Sequence, residues 1–232
     1  MRVLFFDTTQ DWIFVGVYEL TNLGSSVLYE RVSTSPKESS FKLVSYIEEA
    51  LSKTETSKPD CIFVPAGPGS FTGIRITVTT ARDLSQLWNI PCLGRDSLEV
   101  YLLSIHHQWL SERTGESFPN KNLSNNLAVA VDGKQAKYFV KYGNLHSFSK
   151  SLDLKLDKIQ NLRELESVSP NAKFIISKNT PENLKNWYPL EIESLRFNQV
   201  LWVMKDQLLN LNLSDSNYQT LLPNYIRGTY VD

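Results

Sequence analysis

Short apolar runs separated by polar turns dominate the N-terminal part of the chain. The runs Val3–Phe6 and Trp12–Tyr18 flank the polar segment Asp7–Asp11, a pattern that predicts two strands joined by a hairpin turn. A third strand is predicted over 27–32, and the continuous apolar run Cys61–Pro65 predicts a buried strand. The chain is therefore expected to begin with a sheet.

The first helix is predicted between the third strand and the buried one. Ser35 can act as N-cap, Pro36 suits the first helical position and Glu38 completes a capping box, so the helix is expected to begin here and to end near Ser52. Its apolar side chains cover roughly 220° of the helical wheel, although one core contact needs little more than about 100°. The surplus indicates a second contact for this helix.

A second helix is predicted over 74–89, against the low helix propensity of its threonines. Its apolar residues share one side at helical spacing, and its polar residues share the other: Ile74, Val78, Ala81, Leu84, Leu87 and Trp88 against Arg75, Thr79, Arg82, Asp83 and Gln86. Asn89 and Pro91 mark the end of this helix. A short strand over 91–94 follows, and then a helix from a second capping box, Asp96 with Glu99, to about Leu110.

The pattern of the N-terminus returns after the polar linker 113–126. Ala128–Asp132 resembles Val3–Asp7, and the apolar residues 138–140 resemble 13–15 at the same spacing. Strand, acidic turn and strand thus recur in register, which predicts two related lobes that each begin with a hairpin.

The predicted lobes span 1–112 and 127–232. The second lobe contains a predicted strand over 173–177 and an amphipathic helix over 197–211. The last helix or the apolar tail is expected to pack back on the first lobe.

Composition and charge exclude several classes of protein. The 232 residues are 41% hydrophobic and 21% charged, which is typical of a folded globular chain and excludes disorder. The net charge of −1 gives no long-range attraction to nucleic acid, so any contact with RNA is expected beside a more basic partner. Two cysteines cannot form a disulfide framework, and no apolar run reaches membrane-spanning length or resembles a signal peptide. Reduced, buried thiols and a cytoplasmic location are expected.

The stretch from Gly67 to Gly73 reads Gly-Pro-Gly-Ser-Phe-Thr-Gly between a predicted strand and a predicted helix. Glycine permits close backbone approach, and free N–H groups at a helix start favour an anion, so a phosphate cradle is physically reasonable. The candidate phosphate ligands are Gly67, Gly69, Ser70, Gly73 and Arg75. The Gly-Lys-Ser/Thr ending of a Walker A loop is absent. A tight turn that lets the helix pack closely on the sheet is the alternative, and the residues alone leave both interpretations open.

Asp7 and Asp132 stand at equivalent turns of the repeat. In the actin, Hsp70 and sugar-kinase superfamily such turns hold metal and ATP phosphates, but the first turn here has no glycine, and an Asp forming a local Asx-turn is the alternative. The three histidines lack metal-ligand spacing, and no catalytic triad can be assembled. Neither a metal site nor a catalytic residue is predicted, which argues against a metallopeptidase.

The segment Ala66–Ile76 resembles the Gly-Pro-Gly-Ser-Phe-Thr-Gly-hydrophobic-Arg motif of the TsaB (YeaZ) family, the accessory subunit for making threonylcarbamoyladenosine at position 37 of bacterial tRNAs. The opening Leu4–Thr9, the second-lobe Val129–Asp132 and the closing Pro223–Arg227 agree in order. The resemblance covers most of the chain. It implies an α/β fold with two lobes of the actin/Hsp70 type, a duplicated ribonuclease H-like arrangement in which each lobe is a mixed sheet flanked by helices.

The resemblance also implies partners. TsaB proteins form homodimers, and heterodimers with TsaD, the related subunit that transfers the threonylcarbamoyl group; TsaE, an ATPase, joins the complex. By this resemblance, tRNA is expected to bind only through the complex, and no membrane contact is expected. The chain is expected to have no cofactor of its own, and ATP or ADP to bind only in the complex.

In the family the contact is a bundle of the first two helices of the N-terminal lobe, here Pro36–Ser52 and Ser70–Trp88. The resemblance therefore implies a partner-binding set on these helices: Phe41, Val44, Tyr46, Ile47, Leu51, Ile74, Val78 and Ala81. Phe41, Val44 and Leu51 lie on one edge of the apolar arc and Tyr46 on the other, so one edge can face the core and the other a partner.

Three positions depart from the family pattern. Glu38-Ser39-Ser40 replaces a stretch that often holds a histidine, Thr77 stands where glycine is common, and Asp132-Gly133-Lys134 stands where Asp-Ala-Arg is common. The departures at Thr77 and at Gly133-Lys134 leave open how closely the helix packs and whether the chain retains nucleotide contacts of the superfamily. The pairing of the lobes is unaffected.

The expected function is a non-catalytic scaffold subunit that dimerises with a TsaD-type transferase. The rival is an enzyme, an ATP-dependent small-molecule kinase or ATPase of the same superfamily. In that rival, Asp7, Asp132 and the loop Gly67–Gly73 line a nucleotide cleft.

Overall fold

A computed structural model describes residues 1–34, 38–105, 127–133, 137–144, 147–148, 152–154, 159–168, 173–177, 184 and 187–225 of the chain. The chain forms two compact units. The first unit comprises Met1–Ser97 and Phe197–Asn224, and the second comprises Leu98–Arg196 and Tyr225–Asp232. Residue 112, the expected end of the first lobe, lies outside the described residues.

The first unit is built on a five-stranded mixed sheet. Its strands are β1 (Arg2–Asp7), β2 (Ile13–Leu20), β3 (Ser25–Ser33), β4 (Cys61–Pro65) and β5 (Cys92–Arg95). They lie in the order β3-β2-β1-β4-β5, with β1 antiparallel to β2 and parallel to β4. The strands predicted from the apolar runs are therefore confirmed.

Helices cover this sheet on both faces. The described α-helices of the two units are α1 (Ser39–Lys53), α2 (Phe71–Trp88), α3 (Ser97–Ser104), α4 (Ile159–Val168), α5 (Phe197–Val203) and α6 (Lys205–Leu209), and a 3₁₀ helix spans Ile192–Ser194. α4 and all of α3 after Ser97 belong to the second unit. On one face, the guanidinium of Arg31 in β3 lies 3.7 Å from the ring centroid of Tyr46 in α1. On the other, the rings of Phe197 in α5 and Phe14 in β2 are 4.6 Å apart. Arg31 pairs with Val15, the neighbour of Phe14, and successive strand residues point to opposite faces, so α1 and α5 lie on opposite sides.

The second unit repeats the strand arrangement of the first. Its strands are β6 (Leu127–Asp132), β7 (Tyr138–Asn144), β8 (Ser147–Phe148), β9 (Leu152–Leu154), β10 (Lys173–Ile176) and β11 (Tyr188–Pro189). The order is β11-β10-β6-β7-β8, and β9 pairs with β7. β6 is antiparallel to β7 and parallel to β10, as β1 is to β2 and β4. The predicted duplication is confirmed.

The repeat differs from its predicted register by one residue. Asp7 pairs with Phe14 in the first hairpin, whereas Asp132 pairs with Tyr138 in the second. The second turn is therefore one residue shorter, and Tyr138 rather than Phe139 takes the place of Phe14.

Helix ends depart from the sequence pattern in four described places. α1 begins at Ser39 with Glu38 as its N-cap, so the prediction that Glu38 completes a capping box at the third helical position is wrong. α2 begins at Phe71, three residues before its predicted start, because Ser70 caps it. The helix predicted to reach Leu110 ends at Ser104, because Ile105 forms a β-bridge with Leu195. The helix predicted over 197–211 is broken at Met204 into α5 and α6. The predicted cap at Ser35 and Pro36 lies outside the described residues. Among the described helices, none has the length and apolar character needed to cross a bilayer.

The two cysteines are buried in adjacent strands and point to opposite faces of the sheet. Cys92 pairs with Ile62, the neighbour of Cys61, so the two thiols cannot form a disulfide without backbone movement. Burial raises the pKa of both thiols above the ordinary value, which disfavours the reactive thiolate.

We expect neither thiol to react with a thiol-specific reagent at neutral pH while the chain is folded. Both are expected to react within seconds to minutes in denaturing urea, because unfolding exposes them and restores the ordinary pKa. Mass spectrometry after timed labelling measures this difference. Rapid labelling of either cysteine in the native protein would contradict the buried placement.

Candidate partner-binding surface and glycine loop

The loop between β4 and α2 packs against the first hairpin turn of its own chain. A methyl group at Gly69 would overlap the carbonyl oxygen of Thr9, and one at Gly73 would overlap that of Thr8. Gly67 has a φ of +112°, a conformation that L side chains rarely adopt. This geometry favours the interpretation of the motif as a tight turn that lets α2 pack closely on the sheet.

Several backbone N–H groups of the loop are bonded within the chain. Gly67 N–H donates to Ser97 Oγ at 3.0 Å, and Ser70 N–H donates to the Thr9 carbonyl at 2.7 Å. Gly73 N–H donates to the Ser70 side chain at 3.4 Å, so Ser70 is the N-cap of α2. The structure thus brings these candidate phosphate ligands together, but these three N–H groups already donate hydrogen bonds to acceptors of the chain itself.

Arg75, the remaining candidate phosphate ligand, is exposed on α2 as the fifth residue of the helix. Its guanidinium lies 4.0 Å from the ring centroid of Phe71, a cation–π contact within the same helix. Phosphate binding at this loop stays a prediction.

Two buried threonines join α2 to the first turn. Thr8 N–H donates to Thr77 Oγ1 at 3.0 Å, and the two hydroxyl oxygens are 2.8 Å apart. The Thr8 hydroxyl donates to the Gly73 carbonyl at 2.8 Å, so its only proton is used there and the Thr77 hydroxyl is the donor between the two threonines. Thr77 stands where the family often has glycine, which raises the question whether α2 can still pack closely on the first turn. The hydrogen bonds between Thr8 and Thr77 maintain that close contact.

The Asp7 carboxylate is buried and is engaged in its own turn. One oxygen accepts the Thr9 N–H at 2.7 Å, and the other accepts the Trp12 indole N–H at 2.9 Å. The first contact is that of an Asx-turn, the alternative to a metal or phosphate site at this residue. Both carboxylate oxygens therefore already have a structural role.

The corresponding turn of the second unit is also closed by a backbone bond. Asp132 ends β6, and the N–H of Gly133 donates to the carbonyl of Lys137 at 2.9 Å. Lys134, which departs from the family pattern, lies outside the described residues. The structure therefore defines the two ends of this turn.

α1 divides its predicted partner-binding residues between two faces. Tyr46 and Ile47 are buried within their own unit, whereas Phe41 and Val44 are 83% and 48% exposed. Leu51 is half-buried and follows Phe41 and Val44 along one side of the helix. We name Phe41, Val44 and Leu51 the α1 stripe. Tyr46 and Ile47 belong to the core and offer no free surface to a partner.

α2 presents its predicted partner-binding residues to its own core. All three are buried: Ile74, Val78 and Ala81. The buried side of the helix is also lined by Thr77 and Ser85, and the Ser85 hydroxyl donates to the Ile90 carbonyl at 2.7 Å. Leu87, expected on the core side, is instead 75% exposed, because these two polar residues occupy the inner face.

One carboxylate adds polar contacts to the buried side chains that hold α1 on the sheet. Glu49 accepts a hydrogen bond from the Tyr29 hydroxyl at 2.8 Å and pairs with the Arg31 guanidinium. Arg31 in turn lies over the ring of Tyr46. These contacts hold the inner side of α1 on β3 and leave the α1 stripe facing outward.

Asn224 reaches the glycine loop, a contact that the sequence pattern does not predict. Its backbone N–H donates to the Ala66 carbonyl at 2.7 Å, and its side-chain Nδ2 donates to the Gly67 carbonyl at 3.2 Å. An amide side chain inside an otherwise apolar tail is the one sequence signal that points to this contact.

Comparison with known proteins finds relatives over most of the chain. The family model described as TsaD, tRNA N6-adenosine threonylcarbamoyltransferase, matches residues 33–193. The tRNA threonylcarbamoyladenosine biosynthesis protein TsaB of Buchnera aphidicola subsp. Schizaphis graminum is 24% identical over 205 residues, which cover 79% of this chain and 95% of that protein.

Solved structures share the fold. YeaZ from Pseudomonas aeruginosa matches with a TM-score of 0.67 at 15% identity, covering 97% of this chain and 99% of that one. A second structure, of a protein described as similar to peptidase YEAZ from Pseudomonas aeruginosa, matches with a TM-score of 0.66 at 16% identity and the same coverage. Together with the repeated sheet order, this likeness confirms the expected two-lobed actin/Hsp70-like fold.

Proposed function

The chain belongs to the TsaB/YeaZ family, within the group that the TsaD model describes, and we therefore propose that it is a non-catalytic subunit of the machinery that makes threonylcarbamoyladenosine in tRNA. It acts in the cytoplasm by binding a TsaD-type transferase subunit and holding it in an active arrangement. A TsaE-type ATPase and tRNA join through that complex, since the net charge of −1 gives the chain no attraction of its own for RNA.

The α1 stripe is the observation that carries this proposal. Phe41 and Val44 are large apolar side chains left in solvent on a helix whose opposite side is already fixed to the sheet. α1 also contacts α2, a second helix whose exposed side can extend the binding surface. Burying about 400 Å² of such surface contributes about 10 kcal/mol before the cost of association.

The engaged turn at Asp7 supports a non-catalytic role. A superfamily member that hydrolyses ATP needs its turn carboxylate and loop N–H groups available to metal and phosphate. Here the Asp7 oxygens accept from Thr9 and Trp12, and the N–H groups of Ser70 and Gly73 are bonded to Thr9 and Ser70. Binding at the helix surface is therefore favoured over chemistry at the turn.

Sedimentation of the chain with the TsaD-type subunit of the same organism tests the proposal. At about 10 μM of each protein, we expect one faster complex that contains both chains. The chain is also sedimented alone, to show whether it self-associates through the same surface. Independent sedimentation of the two proteins at this concentration would overturn the proposal.

The enzyme alternative has its own test. Calorimetric titration of ATP·Mg into the isolated chain is expected to give no micromolar binding, because the turn and the loop are occupied by their own hydrogen bonds. Micromolar affinity accompanied by turnover would favour a kinase or ATPase instead.

A further inference from the structure

Gly67 forms hydrogen bonds with the last residue of each of the two segments that make up the first unit. The chain passes from one unit to the other after Ser97, after Arg196 and after Asn224. The Gly67 carbonyl accepts the Ser97 N–H at 2.8 Å and the Asn224 Nδ2–H at 3.2 Å. The last residue of each of these two segments of the first unit is thus bonded to the same residue of the loop.

The segment that ends at Asn224 covers the edge strand of the first sheet. Cys92 N–H in β5 donates to the Ser216 carbonyl at 3.2 Å. Leu221 is buried and occupies the space that a side chain at Gly94 would need. We name residues 216–224 the C-terminal strap. The strap protects the free edge of β5 and ends at the glycine loop.

The Asn224 side chain is held from two sides. Its Nδ2 donates to the Gly67 carbonyl and to Asp96 Oδ2, both at 3.2 Å, which uses both amide protons. The Asn224 carbonyl fills the space beside Gly67 that a Cβ would occupy. The strap therefore supports the conformation of Gly67, although Asn224 and Gly67 are 157 residues apart in the sequence.

We propose that Asn224 is a positioning residue for α2 and, through α2, for the α1 stripe. Gly67 lies three residues before Ser70, the N-cap of α2, and α2 contacts α1, which carries the α1 stripe. Asn224 fixes Gly67, Gly67 sets the start of α2, and α2 supports α1 from the side. The consequence for partner affinity rests on the proposed function, whereas the effect on the loop does not.

Hydrogen exchange of the isolated chain tests the first step. In Asn224→Ala we expect the amides of Gly67, Ser70 and Gly73 to exchange about tenfold faster than in the parent, while the amides of β1 and β2 are unchanged. Leu222→Ala is the matched control, because Leu222 lies in the same strap but its side chain is 64% exposed. A uniform acceleration across the unit, or none at the loop, would reject positioning in favour of a general structural role.

Affinity for the TsaD-type subunit tests the second step. We expect folded Asn224→Ala to bind about five- to tenfold more weakly than the parent and than Leu222→Ala, since two hydrogen bonds that order the loop are lost. Parental affinity in a folded Asn224→Ala would overturn the inference and leave the proposed function intact. If the parent itself does not bind, the proposed function fails, and the exchange result decides the loop effect alone.

A milder variant applies if Asn224→Ala does not fold. Asp96→Asn keeps the shape of the acceptor and removes its charge, which weakens one of the two Nδ2 hydrogen bonds. A smaller acceleration at the same loop amides supports the inference. An exchange pattern identical to that of the parent contradicts it.

Discussion

Replacing Phe41 and Val44 together by glutamate is expected to weaken binding of the TsaD-type subunit at least about a hundredfold while the chain stays folded. Before binding, Phe41 is largely and Val44 about half in solvent, so the substitution costs the isolated chain little. In the complex, each carboxylate would be buried without a partner in an apolar contact, a penalty of several kcal/mol. Titration calorimetry measures the affinity, and thermal melting followed by circular dichroism reports the fold.

The matched control for this double variant is Leu23→Glu. Leu23 is 94% exposed on the turn between β2 and β3, so its replacement adds a charge to an apolar surface position that does not belong to the α1 stripe. We expect parental affinity for this control. Equal affinity of the double variant and the control would show that the stripe is not the binding surface.

Tyr46→Glu separates the two sides of the same helix. Tyr46 is buried and carries the Arg31 guanidinium on its ring, so a glutamate there loses packing and places a carboxylate in the core. Thermal melting is therefore expected to show destabilisation by about 3 kcal/mol. A melting temperature equal to that of the parent would place Tyr46 on the surface.

Local patterns were sufficient to predict most elements of the first unit. β1, β2 and β4 follow from apolar runs because central strands are buried on both faces. α2 follows from its period despite its threonines, since burial of one helix side outweighs residue propensity. The wide apolar arc of α1 was informative, but it could not distinguish core from surface: Tyr46 and the stripe carry the same kind of side chain, and only the pairing with β3 separates them.

Long-range pairing explains what the sequence could not predict. Thr77 lies on the inner face of α2 because Thr8, far away in sequence, supplies a hydrogen-bond partner, and Leu87 is displaced to the surface. The end of α3 at Ser104 depends on a bridge between Ile105 and Leu195. The Asn224 contact joins residues that are 157 positions apart, and no local period in the sequence indicates such a contact.

Gly73→Ala is expected to destabilise the protein by about 3 kcal/mol or more, which corresponds to a fall of roughly 10 °C in the melting temperature of a domain of this size. In an ordinary helix this change would stabilise by up to about 1 kcal/mol, so the expected sign is reversed. The new methyl group would overlap the Thr8 carbonyl, which belongs to backbone and cannot rotate away. The displacement also breaks the hydrogen bond from the Thr8 hydroxyl to the Gly73 carbonyl. Thermal or urea unfolding measures the loss.

Gly24→Ala provides the comparison that isolates this overlap. A Cβ at Gly24 meets nothing within 4 Å, so the same chemical change is expected to alter stability by no more than about 0.5 kcal/mol. A difference between the two variants therefore measures the close approach of α2 to the first turn rather than the general effect of replacing glycine. If Gly73→Ala were as stable as Gly24→Ala, α2 could not lie against Thr8, and the tight-turn interpretation of the glycine loop would be wrong.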